Sequence, residues 1–315
     1  MDGPARQLHL DSRAIALVLG CTLVWGIGQL AAKVALAEIP ALTQAGLRSL
    51  GAGVLVFGWT RLRGVPLTER DGTWWPGLLA GVLFAAEFAA VYSALRFTTA
   101  GRTTVFLYLA PFVVAIGMAR LVPAERLRGL GLVGLVAAFG GVAVAFLDGF
   151  AGSAVGPQQW LGDLLAVGAA VGWGATTLVI RATPLGPADP AKTLLYQLLV
   201  SGVGLTAAGF AVGERPHWPF GALTWAALVF QVCVVSSTSY LVWFWLVRTY
   251  AATRLSAFTL LTPVVALLAG ALLLHESLTP RILVAVTGVA LGLVLVNRTP
   301  RRLPPPDPGP RRPTG

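Results

Sequence analysis

Apolar residues run along this chain in ten long stretches, at roughly 15–36, 41–60, 76–97, 101–121, 129–148, 161–181, 192–212, 221–247, 254–274 and 279–297. Polar and charged residues collect in the short gaps between them. Stretches of about 18–24 residues are long enough to cross roughly 30 Å of hydrocarbon. Backbone groups in lipid must be paired within their own segment, so the pattern predicts ten transmembrane helices and an all-α integral membrane protein. The first stretch carries Lys33 and no small-x-small cleavage site, which argues against a cleaved signal peptide.

Composition agrees. Of 315 residues, 56% are hydrophobic and 11% charged, against about 25% charged in an ordinary soluble domain. A soluble globule of this size could not hide so much apolar surface, which excludes a soluble enzyme and a disordered chain. The net charge of +10 does not point to nucleic acid, because the basic residues form no single stripe and fall in clusters between the spans. With the N-terminus placed in the cytoplasm, seventeen Lys and Arg fall on the inside and five on the outside, with Arg48 within a span. The bias places both termini inside. Trp74, Trp75, Trp160, Trp218 and Trp225 lie near span ends and read as an interfacial belt. The Pro/Arg-rich tail, 298–315, reads as disordered and drawn to anionic lipid. Cys21 and Cys233 fall within apolar runs and read as packed hydrophobes, with no disulfide, metal or cofactor expected.

The chain repeats itself. A shift of 152 residues places Arg96, Ala100, Arg102, Phe106, Leu109, Pro111 and Val113 on Arg248, Ala252, Arg254, Phe258, Leu261, Pro263 and Val265. A shift of 151 places Glu125, Leu127 and Gly141 on Glu276, Leu278 and Gly292, and a shift of 148 places Leu17, Gly20, Trp25, Gly26 and Lys33 on Leu165, Gly168, Trp173, Gly174 and Arg181. Each half holds five spans. Five is odd, so the second half enters the membrane from the opposite side, and the halves form an inverted repeat. The expected divisions are a cytoplasmic segment 1–13, a first repeat 14–148, an external linker 149–160, a second repeat 161–297 and the tail 298–315. Inverted repeats give alternating access, because exchange of the two halves' conformations turns a cavity from one side to the other.

These features resemble the EamA type of the drug/metabolite transporter superfamily. The resemblance covers 14–297 and rests on Trp25-Gly26 with Lys33, Arg48, the stretch TTAGRTTVFLYLAPF around Pro111, Pro123-Ala124-Glu125, Gly162-Asp163, RLSAFTLLTPVVALLAG and His275-Glu276. Ala124 and His275 stand where that family usually has glycine. The resemblance implies a ten-helix fold of two inverted repeats in the inner cell membrane and a secondary exporter of small metabolites such as amino-acid-like or amphipathic compounds, acting as a monomer or weak homodimer.

Glu87 is the acid set deep within a span, roughly 16 Å into the third helix at about 1.5 Å per residue. A carboxylate there is costly and is a functional candidate by default. Arg48 in the second span counts to about the same depth, so the two are expected to pair or to line one cavity together. Two readings stand: Glu87 binds a proton or cationic group and Arg48 an anionic group, or the two form a structural ion pair. Gln29 with the aromatic residues Trp25, Tyr92, Tyr108, Trp173, Tyr240 and Trp243 could complete an aromatic-polar cavity for amphipathic cargo. Pro111 and Pro263 fall mid-span at matched positions and predict kinks that bracket the site. Ser236-Ser237-Thr238-Ser239 in the eighth span either bonds its own helix carbonyls or wets the pathway. Lys33 and Arg181 are expected to snorkel, and Gly140-Gly141 with Gly288 and Gly292 to allow close helix approach.

No Walker A sequence occurs, so a gradient rather than ATP drives such a transporter. An integral membrane enzyme would need a clustered acid, base or metal set, whereas His9, His217 and His275 are scattered. A non-transporting scaffold would carry a large soluble appendage or interaction motifs.

Overall fold

The computed structural model describes residues 9–94, 96–98, 100–145, 147, 156–274 and 281–297. The His275-Glu276 motif, the 298–315 tail and most of the expected linker lie outside the described residues. Helix α1 is Ser12–Ala35, α2 Ala41–Leu62 and α3 Trp74–Ala94. The fourth span is two pieces, α4a (Ala100–Leu107) and α4b (Ala110–Leu121), and α5 is Leu130–Ala145. In the second half, α6 is Gln159–Ala182 and α7 Pro190–Ala211. The eighth span joins α8a (Ala222–Phe230) to α8b (Tyr240–Thr249) through a π-helical segment, Gln231–Ser239. The ninth is α9a (Ala252–Phe258) and α9b (Leu261–Leu274), and α10 is Arg281–Asn297. Seven of these segments are long and apolar enough to cross a membrane, and two more are shorter apolar helices. The tenth, α2, carries Gln44 and Arg48 among its apolar residues.

Local chemistry sets the ends and the breaks. Asp11 caps α1, its Oδ1 accepting from the Ala14 N–H at 2.7 Å, and Asp189 caps α7 through the Ala191 N–H at 2.8 Å. Pro111 stands in the first turn of α4b. Its missing N–H and fixed φ divide the fourth span just ahead of it, where Leu109 N bonds to Phe106 O at 3.1 Å and Phe112 N to Leu109 O at 2.9 Å. The ninth span breaks at the matching place, with Leu260 N on Ala257 O at 3.2 Å and Thr262 N on Thr259 O at 2.9 Å.

The packing is that of an inverted repeat. Helix α5 packs on α10 and α2 on α7. Contact of α3 with α6 is matched by α8 with α1, contact of α4 with α6 by α9 with α1, and contact of α3 with α7 by the π segment with α2. Exchange of the halves maps these main contacts onto themselves. With five spans in each half, the relating axis lies in the membrane plane, and the halves are interleaved. Thr98 donates to Asp163 at 2.9 Å, and Tyr250, 152 residues after Thr98, donates to Asp11 at 3.0 Å, so a similar clasp ties the end of each half's third span to the start of the other half's first helix.

Small residues allow the closest crossings. A Cβ on Gly292 would lie 2.6 Å from the Ala138 Cβ, and one on Gly141 would lie 3.2 Å from the Gly288 Cα. Gly140, expected in the same contact, meets nothing, and Gly134 on the facing side of α5 takes its place against Gly292. Trp74, Trp75, Trp160, Trp218 and Trp225 are exposed, as belt residues are. Arg181 does not snorkel. It is buried in an ion pair with Glu125 and donates to Val247 O at 2.9 Å, while the second Glu125 oxygen accepts from Ala252 N at 2.8 Å. Cys21 is buried, whereas Cys233 is exposed beside Trp59 between α2 and the π segment.

Candidate functional site

Helices α1, α2, α3 and α6, the α4 break and the start of α8b bring the candidate residues together. Glu87 and Arg48 each lie seven residues from the end of their helices opposite the termini, Ala94 and Ala41, or about 10 Å in at 1.5 Å per residue. Their charges interact, but no ion pair within 4.0 Å joins them. Arg48 is 8% exposed. Its Nε and Nη2 have no hydrogen-bond partner among the described residues, and its guanidinium lies 4.6 Å from the Phe88 ring centroid. The ring face attracts the cation but satisfies none of its N–H groups. Glu87 is half-buried, and α6 passes it at Gly172, where a Cβ would stand 3.6 Å from the Glu87 Cβ.

Aromatic rings surround the two charges. Trp25 meets Tyr240 edge-on at 6.1 Å and Trp243 at 5.1 Å. Tyr240 meets Phe84 at 6.2 Å, Phe84 meets Phe88 at 5.0 Å, and Phe88 meets Tyr92 at 6.4 Å. The α4 break turns Tyr108 against Trp173 at 5.6 Å, with Gln29 and Thr262 beside its hydroxyl. Gln29 is exposed, and Tyr108 and Trp243 are buried. Pro111 and Pro263 are buried beside the two breaks. The serine run bonds its own helix, Ser237 to Val232 O at 2.7 Å and Thr238 to Cys233 O at 2.9 Å, both five residues back, as π-helical geometry requires. Ser239 accepts from the Trp25 indole at 2.8 Å and donates to Val235 O at 2.6 Å.

Phe84 and Phe88 belong to the site and were not singled out in the sequence. Their signal is present, since positions 84, 87, 88 and 91 share a face at helical spacing. This geometry can hold a carboxylate or other anion on the free Arg48 donors, stack an apolar or cationic body on the rings, and load or release a proton at Glu87. Among the described residues no cluster of His, Cys, Asp or Glu could hold a metal.

Comparison with known proteins agrees with this architecture. The profile of the EamA-like transporter family matches residues 12–147 and 160–298. Uncharacterized transporter YvbV of Bacillus subtilis (strain 168) is 28% identical over 294 residues, covering 91% of this chain and 92% of its own. A protein of Escherichia coli (strain K12) named probable amino-acid metabolite efflux pump is 28% identical over 271 residues, covering 84% of this chain and 87% of its own. A crystal structure superposes with a TM-score of 0.78 at 20% identity, covering 91% of this chain and 96% of the other, and this likeness concerns the fold. With ten apolar helical segments in two matched halves, the chain is a multi-pass membrane protein that belongs to the EamA-like transporter family of the drug/metabolite transporter superfamily.

Proposed function

We propose that this transporter exports small amphipathic, amino-acid-like compounds by alternating access, driven by protons through Glu87. The observation that carries this reading is the pair of unneutralised charges at one depth within an aromatic shell. Arg48 has two free donors, and Glu87 has no ion-pair partner among the described residues. A zwitterionic or anionic cargo supplies the group that Arg48 lacks, and its apolar part lies on Trp25, Phe88 and Tyr240. The efflux-pump name of the Escherichia coli relative supports the cargo class and the outward direction. The excess of Lys and Arg on the terminus-bearing side supports cytoplasmic termini and an inner-membrane location. We take the divisions at 13, 148, 160 and 297, and a monomer or weak homodimer, as parts of this proposal. A structural Arg48–Glu87 ion pair is the poorer account, because the two groups do not touch.

The test is cargo accumulation in proteoliposomes under an imposed pH gradient, with amino acids as the first probes. Glu87→Gln is expected to abolish gradient-driven accumulation while preserving exchange of cargo for cargo. Unchanged accumulation would remove Glu87 from the coupling role.

A further inference from the structure

Ser239 is the counterpart of Glu87, and Trp25 the counterpart of Trp173. Both assignments follow from the repeat, at shifts of 152 and 148 residues. The helix pairs that carry these residues pack in matched fashion, through contacts at different positions in each pair. Helix α1 lies against the eighth span, where Gly28 meets Val235 and the Trp25 indole bonds to Ser239. Helix α6 lies against α3, where Gly172 meets Glu87 and Trp173 follows it in the chain. The contacts differ in one respect. The Trp25 indole has its hydroxyl acceptor at 2.8 Å, whereas no hydrogen bond joins Trp173 to Glu87 in this structure.

Alternating access in an inverted repeat exchanges the arrangements of the two halves. We infer that the exchange opens the Trp25–Ser239 hydrogen bond and closes its counterpart, the Trp173 indole donating to the Glu87 carboxylate. This makes Trp173 and Ser239 positioning residues for transport, and it rests on the reading of Glu87 as the coupling acid.

The asymmetry gives the step its proton dependence. A serine hydroxyl keeps the same charge in both arrangements. An ionised carboxylate is acceptor-only and makes a shorter, stronger bond to an N–H than its neutral form does. Deprotonation of Glu87, with the proton passing to water, therefore favours the exchanged arrangement, and protonation favours the present one. Groups that face Glu87 electrostatically are Arg48 from α2, Tyr108 from the α4 break and Tyr240 from the eighth span. Tyr92 adds a further phenol through Tyr240, and α6 presents Gly172 and Trp173. The partners of Glu87 on these elements are one guanidinium and three phenols, so the carboxylate is the acid the switch follows.

The experiment is ¹⁹F NMR of the 5-fluorotryptophan-labelled full chain in lipid nanodiscs between about pH 5 and 9, with protons as the only ligand. Trp25→Phe and Trp173→Phe assign the two signals. With rising pH, Trp173 is expected to move into a hydrogen-bonded environment while Trp25 leaves its own, at one shared midpoint. Ser239→Ala removes a bond present only in the present arrangement and should raise the ratio of exchanged to present arrangement about tenfold at each pH, moving the shared midpoint to lower pH. Glu87→Gln should abolish both pH responses. If both responses persist in Glu87→Gln, the coupling acid is another group and the reading of the site fails. If Glu87→Gln abolishes the Trp25 response but Trp173 never moves in the native chain, Glu87 is the acid and the exchange proposed here is wrong.

Discussion

Arg48 carries a full charge in a span, touches an aromatic face and leaves two donors unmet. An unpaired buried charge adds nothing to stability and costs desolvation, so a binding role predicts a particular pattern of loss. In Arg48→Gln the apparent affinity for a carboxylate-bearing cargo should fall about tenfold to a hundredfold, the range of a charged hydrogen bond, with no drop in the detergent melting temperature. A drop in melting temperature with unchanged affinity would make it a structural residue. At the molecule's end, Asp71 accepts from Lys192 at 2.8 Å and from the Thr73 hydroxyl at 2.6 Å, which lower its pKa to about 2. A depressed carboxylate pKa contributes stability above its ordinary value, and that contribution is lost as pH falls through about 2. Asp71 is over a third exposed, so Asp71→Asn at neutral pH should cost less than about 1 kcal/mol. Melting temperatures of the native chain and this variant should converge between about pH 4 and 2.

Helices were the legible level. Apolar runs located all ten spans within a few residues, and Pro111 marked a break because a missing N–H has a local consequence. The π segment was not legible, since its serines fit an α-helix equally well until the five-residue hydroxyl bonds are seen. Arg181 resembled an interfacial arginine because its partner Glu125 lies 56 residues earlier and reaches it only through the fold. Phe84 and Phe88 share the Glu87 face of α3, but the helix is apolar on its other sides too, so the sequence does not by itself separate rings that meet the cavity from those that meet lipid. Two element contacts yield sharp predictions. Gly292→Val forces a side chain into Ala138 and should destabilise the α5–α10 crossing by about 1–3 kcal/mol in detergent melts. Glu125→Ala leaves Arg181 buried and uncompensated and should cost about 3–5 kcal/mol, while Glu125→Leu with Arg181→Met should recover most of that loss.

The whole molecule consists of two interleaved halves whose polar contacts recur at opposite ends, yet not in equal surroundings. Every residue of α9a is buried, whereas its counterpart α4a has Arg102, Thr104, Phe106 and Leu107 only partly buried. Matched elements in unmatched environments are what one member of an exchange pair looks like, and the second member has the environments reversed. The most direct measurement is a pair of spin–spin distances in lipid nanodiscs, one label pair across each end of the molecule: Ala37 with Arg215, and Gly64 with Gly186, each replaced by a labelled cysteine in a chain lacking Cys21 and Cys233. Alternating access of inverted halves predicts that a change of pH widens one distance while it narrows the other. Two distances that stay fixed, or that widen and narrow together, would contradict it.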